Sequence, residues 1–161
     1  MSRSIELATE SFEIAGGFAI SRGSRTHANV LVATIREGAF SGRGECVPYA
    51  RYGESLESVA AQIQELASKI EGGLTRQELQ EAMPAGAARN ALDCALWDLE
   101  AKRAGKRAWE LAGIAATTSV TTAYTISLGT PQEMAAAAAT AMMIFFMNSL
   151  LDVCRQGRPV A

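Results

Sequence analysis

The stretch AARNALDCALWDLEAKRAG, residues 87–105, carries the strongest helix signal in the chain. Apolar side chains recur along it at helical spacing and share one stripe, while charged residues such as Asp93 and Arg103 lie off the centre of that stripe. The stripe consists of Ala88, Ala91, Leu92, Ala95, Leu96 and Leu99. Because so many of these residues are alanines, we expect the helix to pack closely against another element.

Shorter helices are predicted before this stretch. Apolar residues return at helical spacing over residues 55–71, where Ser55 can cap the first turn and a Gly-Gly pair can end the helix. The sequence TRQE at residues 75–78 is a capping box, in which the threonine oxygen and the glutamate side chain each accept from a backbone donor. Pro84 closes that short helix. Residues 55–105 therefore indicate a succession of helices.

Residues 3–47 have the β-branched content and alternation of strands. A β-branched run from residue 30 to 35 is followed by a turn signal at Glu37-Gly38 and a second run to Val47, which is typical of a hairpin. The segment GGFAISRGSRTH, residues 16–27, is rich in Gly, Ser and Arg, and we predict an irregular loop there.

Strand-type residues return in TTSVTTAYTISLGT, residues 117–130. The sequence TPQE then starts another helix, with Thr130 as its cap, Pro131 in the first turn and Glu133 three residues after the cap. A strand followed directly by a capped helix is the opening of a β/α unit. From about Met142 the composition shifts to Met, Ile and Phe, and the last residues show neither a helical nor a strand period.

The composition favours small-molecule chemistry over nucleic-acid or membrane partners. A formal net charge of -2 and a pI near 5.5 leave no basic surface for nucleic acid. The apolar run over residues 141–153 is too short for a membrane span, which needs about 20 residues. The 3 cysteines form neither a disulfide framework nor a zinc motif, and the N-terminus has no export signal, so we expect a cytoplasmic protein.

Several acids could carry chemistry, but the pattern favours structural roles for them. Glu45 and Glu54 flank the motif GECVPYARYGES, and we expect them to be solvated or capping acids. Asp93 and Asp98 point in different directions around their helix and do not form one site. Asp98 is placed to support Lys102 at i,i+4.

Nucleophilic catalysis finds little support in the sequence. His27 is the single histidine and lies in the predicted loop, without a recognisable nucleophile or orienting partner. Cys94 and Cys46 are expected to be buried and inert. Arg22 and Arg25, on the same loop, could bind a carboxylate bidentately or could simply be solvated.

Four segments together resemble the N-terminal part of the enolase superfamily, and specifically its dipeptide epimerases of the L-Ala-D/L-Glu type. They are ISRGSRT (20–26), GECVPYARYGES (44–55), LTRQELQEAMPAGAARNALDCALWDLEAKRAG (74–105) and TTAYTISLGTPQEM (121–134). The resemblance implies an α+β cap domain over residues 1–114, with a three-stranded antiparallel sheet followed by a helical bundle. It also implies the first β/α unit of a truncated (β/α)-barrel over 115–141, followed by a divergent tail over 142–161.

The resemblance also implies where a dipeptide substrate would bind. Arg25 matches an arginine that binds a substrate carboxylate, and Thr125 matches a threonine that lines the pocket. Phe18 and Ile20 would form apolar walls. Tyr52 lies on a second loop, residues 49–54, that closes over the substrate together with the loop at 16–27.

The chemistry of the resembled enzymes is that of an isomerase: lysines move the α-proton, and acids of the barrel hold Mg²⁺. A Lys-x-Lys motif should follow the helix that starts at Pro131, but no lysine occurs after Lys106. The metal-binding acids have no counterpart either. We therefore expect no catalytic residue and no metal ligand in this chain, and read it as a part of a dipeptide epimerase that is inactive alone.

Two alternatives remain open from the sequence. The first is a stand-alone, non-catalytic cap that pairs with itself or another chain through the apolar residues 142–147, or self-associates through the unpaired barrel strand. The second keeps the superfamily but changes the subgroup, to an enzyme similar to muconate cycloisomerases or succinylbenzoate synthases.

Overall fold

A computed structural model describes residues 3–21, 23–116 and 123–155. Its strands are β1 (Arg3–Ile20), β2 (Gly23–Glu37) and β3 (Phe40–Cys46), followed by a 3₁₀ turn at Ala50–Tyr52. The helices are α1 (Leu56–Glu65), α2 (Ala67–Glu71), α3 (Arg76–Ala82), α4 (Ala87–Ala104), α5 (Ala108–Leu111) and α6 (Pro131–Arg155). The strands form one 3-stranded sheet in the order β1-β2-β3, so the predicted α+β class is confirmed.

The hairpin predicted from the β-branched run is present. β2 pairs antiparallel with β3, from Leu31 opposite Cys46 to Glu37 opposite Phe40, and this register leaves Gly38 and Ala39 as the turn. Along β3, burial alternates, so that Gly42, Gly44 and Cys46 face inward.

The irregular loop predicted over residues 16–27 is wrong. β1 continues to Ile20 and β2 already begins at Gly23, so nearly the whole segment is strand. The physical reason is that β2 begins well before Leu31, where its pairing with β3 starts, and its other neighbour in the sheet is β1. The loop was predicted from the local glycine content, whereas strand formation depends on two separate segments meeting in a sheet.

Helix α4 lies directly on strand β3, and two glycines make this possible. A Cβ atom at Gly44 would press against the carbonyl oxygen of Ala91 and lie 2.6 Å from the backbone nitrogen of Ala95. A Cβ atom at Gly42 would press against the Ala95 carbonyl oxygen and lie 2.5 Å from the Leu99 nitrogen. The strand therefore contacts the helix backbone itself, which confirms the close packing expected from the alanines.

Polar side chains of α4 fix its register along β3 by bonding the backbone of the strand. Asn90 Nδ2 donates to Glu45 O at 3.1 Å, Asp98 Oδ2 accepts from Arg43 N at 2.8 Å, and Lys102 Nζ donates to Ser41 O at 3.0 Å. As the helix ascends from residue 90 to 102, the strand descends from 45 to 41. The two elements therefore run antiparallel, and sliding either one would break all of these bonds.

The core lies between the sheet and the helices. Its largest fully buried side chains come from β2, α1, α2, α3 and α4: Ile35, Val59, Ile63, Ile70, Leu79, Leu92, Leu96 and Leu99. The helix predicted over residues 55–71 occurs as α1 and α2, which meet at Leu66. Both predicted caps are confirmed, since Ser55 accepts from Ser58 N, and Thr75 and Glu78 form a reciprocal capping box.

The chain divides into two compact units. One comprises Met1–Glu13 and His27–Thr118, and the other comprises Ile14–Thr26 and Ser119–Ala161. In the second unit the predicted cap of α6 is confirmed, because Glu133 Oε2 accepts from Thr130 N at 2.7 Å and Glu133 N donates to Thr130 Oγ1.

Two expectations for this second unit need correction or lie partly outside the described residues. Residues 123–130, the described part of the expected barrel strand, form neither strand nor helix. Helix α6 continues to Arg155, so the described part of the expected divergent tail, residues 142–155, is helical. Within the described residues, no helix has the length and apolar content that crossing a membrane would require.

A cluster of ion pairs joins the start of β1, the end of β2 and α4. Glu37 Oε2 accepts from Arg3 Nη2 at 2.7 Å, and Glu37 Oε1 lies 3.0 Å from Arg103 Nη1. Arg3 Nη1 also donates to the carbonyl oxygen of Leu74 at 2.9 Å. Hydrogen bonds from Arg3 lower the pKa of Glu37; partial burial opposes this, and the charges of Arg3 and Arg103 add to it.

The lowered pKa of Glu37 predicts a specific acid sensitivity. Such a carboxylate stabilises the fold above its ordinary pKa of 4.5, and this contribution is lost as the pH falls through the lowered folded-state pKa. Glu37→Gln should therefore lower the free energy of unfolding at neutral pH, and the difference from the wild type should shrink below pH 4.5. Urea unfolding at a series of pH values measures this.

Glu6→Gln is the matched control, because the pair of Glu6 with Arg36 at 3.3 Å is largely exposed and contributes little. If the unfolding free energies of E37Q and the wild type differ by the same amount at neutral pH and below pH 4.5, the ion pairs of Glu37 do not stabilise the fold as described.

Candidate functional site

Three of the candidate substrate residues lie on the end of the β1–β2 hairpin, residues 14–26, which we name the tip hairpin. Phe18 and Ile20 are half-buried near the end of β1, and Arg25 is exposed near the start of β2. Arg22, which the sequence analysis paired with Arg25, lies outside the described residues. The hairpin therefore presents apolar groups and a cation within one short segment.

A backbone contact brings this hairpin to the segment that carries Thr125. Ala19 N donates to Ser127 Oγ at 2.9 Å, and Leu128 N donates to Ala19 O at 2.8 Å. Thr125 is exposed, two residues before Ser127. Sequence reasoning missed Ser127, since a serine in a strand-like stretch carries no signal for a partner 108 residues away.

Tyr52, the remaining candidate, belongs to the other compact unit. It ends the 3₁₀ turn and is 76% exposed, and its ring centroid lies 5.8 Å from that of Tyr49 at a tilt of 46°. Tyr52 therefore contacts Tyr49 and is otherwise largely exposed to solvent.

Glu54 holds the loop at residues 49–54 against the start of α4. Its Oε1 accepts from Ala87 N at 2.8 Å, and its Oε2 accepts from Tyr49 N at 3.1 Å. Helix α4 has Gly86 at its N-cap and no side-chain cap of its own. Glu54 therefore satisfies a donor that would otherwise be orphaned, and places negative charge at a helix N-terminus. This agrees with the capping role expected for it.

The other acids form no common site. Asp93 accepts from Gln80 Nε2 at 3.1 Å, whereas Asp98 bonds Lys102 at 2.7 Å, which confirms the predicted i,i+4 pair. Partial burial raises the pKa of Asp98, but hydrogen bonds from Lys102 and the Arg43 backbone outweigh it, so the pKa is lowered overall. Glu45 lies 3.9 Å from Arg43 and is 42% exposed.

Burial raises the pKa of the thiols of both Cys46 and Cys94, so neither is poised for reaction. Burial, with the charge of Glu54 nearby, raises the pKa of the Cys46 thiol to about 11, so it is protonated at neutral pH. The expectation that Cys94 is buried is wrong, because it is exposed. At about 100° per residue, Cys94 lies well over a quarter turn from the centre of the apolar stripe.

The acidic, histidine and cysteine side chains of the described residues do not gather into a metal-binding cluster. Residues 3–21, 23–116 and 123–155 contain no group of 3 or more His, Cys, Asp or Glu side chains that could hold a metal ion. His27 is exposed on β2. The candidate residues that the structure describes are an arginine, two apolar side chains, a threonine and a tyrosine.

Residues 2–113 match the family described as mandelate racemase / muconate lactonizing enzyme, N-terminal domain. The chain belongs to this family. Its membership confirms the enolase-superfamily resemblance, and the sheet and helices described above are the cap domain that this resemblance implied.

Dipeptide epimerases are prominent among its relatives. The chain is 49% identical over 138 residues to the L-Ala-D/L-Glu epimerase of Escherichia coli, a match that covers 86% of this chain and 43% of that protein. The chain therefore spans less than half the length of this relative.

Solved structures similar to this chain are also related to dipeptide epimerases. An enolase family member from Agrobacterium tumefaciens with homology to dipeptide epimerases, solved with sodium, L-Ala-L-Glu and an ordered loop, superposes with a TM-score of 0.79 at 59% identity. That match covers 86% of this chain and 42% of the other. The dipeptide epimerase of Cytophaga hutchinsonii, complexed with Mg and D-Ala-L-Val, gives a TM-score of 0.72 at 29% identity, with coverages of 86% and 40%.

The Glu54 bridge generates a prediction about the cap. Glutamine has one acceptor oxygen, so Glu54→Gln must turn its amide group toward one of the two backbone donors, Ala87 N or Tyr49 N. We expect this variant to lower the free energy of unfolding by about 1–3 kcal/mol, as for a buried donor left unpaired. Urea denaturation followed by circular dichroism measures the change.

Glu45→Gln makes the same chemical change on the exposed face of β3 and should cost no more than about 1 kcal/mol. Equal effects of E54Q and E45Q would show that the bridge contributes nothing specific.

Proposed function

We propose that this chain forms the substrate-selecting cap of a dipeptide epimerase, which interconverts L-Ala-L-Glu and L-Ala-D-Glu by removing and returning the proton on the glutamate α-carbon. The observation that carries the proposal is the 49% identity to the Escherichia coli enzyme over 86% of the chain. This match is too long to cover only the cap domain.

Within this proposal, Arg25 selects the substrate by its charge. Its guanidinium would donate two parallel hydrogen bonds to a carboxylate of the dipeptide, a geometry that lysine cannot reproduce. Thr125 would contribute a hydroxyl to the same substrate. These assignments rest on the matched segments and on the presence of both residues in one compact unit.

Phe18, Ile20 and Tyr52 would exclude water around the bound dipeptide. Excluding water strengthens the contact between Arg25 and the carboxylate, because the surrounding dielectric falls. The tip hairpin and the loop at 49–54 would act as lids over the barrel mouth. Their contribution is to bind and orient the substrate, and no proton transfer is assigned to them.

Proton transfer requires groups other than those described here. The Cytophaga hutchinsonii relative was solved with Mg, but the described residues of this chain offer no matching set of ligands. All lysines lie at or before Lys106. We therefore propose that these 161 residues are inactive by themselves.

We also propose a cytoplasmic location, which the free thiols of Cys46 and Cys94 support.

A second candidate function is a non-catalytic module that self-associates. The exposed apolar side chains of the second unit favour it: Tyr124, Leu128, Met134, Met142 and Met143. A defined dimer in light scattering would favour this module over the epimerase cap.

A cap for a muconate-lactonizing subgroup is less well supported, since the relatives at 49% and 59% identity are linked to dipeptide epimerases.

The proposal is tested by joining residues 1–140 of this chain to the remainder of the Escherichia coli epimerase and measuring epimerisation of L-Ala-L-Glu with Mg²⁺. Arg25→Lys should lower kcat/KM by about 10- to 100-fold, the usual value of charged hydrogen bonds. If Arg25 contacts the glutamate side chain, R25K should lower kcat/KM less for a dipeptide whose second side chain is neutral. Exchange of the α-proton in D₂O provides the readout.

Two controls accompany this experiment. Arg36→Lys, on the same strand but paired with Glu6 at the surface, should leave kcat/KM unchanged. The 161-residue chain alone should exchange no α-proton. The proposal fails if the joined protein is inactive, if R25K behaves like R36K, or if the chain alone turns over substrate.

A further inference from the structure

The contact at Ala19 uses both backbone groups of one residue. Ala19 N donates to Ser127 Oγ at 2.9 Å, and Ala19 O accepts from Leu128 N at 2.8 Å. Residues 14–26 and the segment from 119 onward belong to one compact unit. This pair of bonds is a specific polar link between the tip hairpin and the later segment.

β1 is an edge strand, because the sheet order is β1-β2-β3. The backbone groups on the outer side of an edge strand lack a neighbouring strand and need other partners. At Ala19 the partners are a side chain and a backbone group of consecutive residues, Ser127 and Leu128. The side-chain hydroxyl here does what the carbonyl of a neighbouring strand would do.

Two glycines precede this contact in β1. Gly16 and Gly17 have φ angles of +73° and +72°, in the left-handed region that other residues adopt only at a cost. Consecutive residues in this conformation interrupt the straight course of the strand. The position of the chain beyond Gly17 therefore depends on contacts made further along, and the bonds of Ala19 are such contacts.

The neighbours of Ala19 are the two candidate apolar walls, Phe18 and Ile20. In a strand, residues on either side of a given position point to the opposite face. When the backbone of Ala19 is bound at its outer edge, both neighbouring side chains are therefore held at a defined place and on a common face.

We propose that Ser127 is a positioning residue for substrate selection: by accepting from Ala19 N, it fixes the tip hairpin and thereby sets where Phe18 and Ile20 lie. The role of these side chains toward a dipeptide rests on the function proposed above. The contact itself does not, so the two can fail separately.

The test uses the ¹⁵N-labelled 161-residue chain and measures amide hydrogen exchange by NMR in the wild type, Ser127→Ala and Ser127→Thr. In S127A, the Ala19 amide should exchange about threefold to tenfold faster, the usual effect of one lost hydrogen bond, and Leu128 should follow. Threonine keeps the hydroxyl, so S127T should restore protection. The amides of Leu31 and Ile35, in the other unit, should not change.

A purely structural role of Ser127 in overall stability would move the amides of Ala19, Leu31 and Ile35 together. The inference is overturned if Ala19 is unprotected in the wild type, if S127A leaves its exchange unchanged, or if S127T behaves as S127A does. None of these readouts involves substrate, so an inactive epimerase would leave this result standing.

Discussion

The cap depends on the approach of helix α4 to strand β3 at Gly42 and Gly44. Because these glycines have no Cβ atom, the strand lies against the backbone of α4 at Ala91, Ala95 and Leu99. This distance sets how far the sheet lies from the helical layer. The other core contacts follow from it, because side chains as long as Ile35 and Leu92 are fully buried only at that spacing.

The loop that carries Tyr52 is linked to this contact. Glu54 joins the loop that carries Tyr52 to the first residue of α4. The loop is therefore positioned by the same helix that packs against Gly42 and Gly44. In the second compact unit, the tip hairpin has its own contact at Ser127. A rigid scaffold that presents adjustable loops is a common basis for binding sites, and it suits a domain whose proposed task is to select a substrate.

Sequence reasoning succeeded where the signal was local. The capping boxes at Thr75 and Thr130, the β2–β3 turn and the stripe of α4 all depend on residues a few positions apart. It failed where two distant segments decide the structure. The strands through residues 16–27 form because β1 and β2 meet, and the contact between Ala19 and Ser127 spans 108 residues.

The site illustrates the same limit. The resemblance supplied candidate residues such as Arg25 and Thr125, which composition or periodicity alone would have left among ordinary surface groups. Glu54 was expected to be either a solvated or a capping acid, and its partner Ala87 is 33 residues away and has no motif of its own. Alternate glycines on a strand and spaced alanines on a helix were both visible in the sequence, and only the fold shows that they face each other.

The most direct test of this account is the unfolding free energy of Gly44→Ala, measured by urea denaturation against Gly72→Ala. Gly72 has a right-handed φ of -70°, so alanine is permitted there, and G72A should shift stability by no more than about 1 kcal/mol. Overpacking typically costs about 1–3 kcal/mol, and G44A should reach or exceed this range because the added methyl group meets backbone atoms. If G44A is as stable as the wild type, the strand and helix do not touch as described, and the account of the cap is wrong.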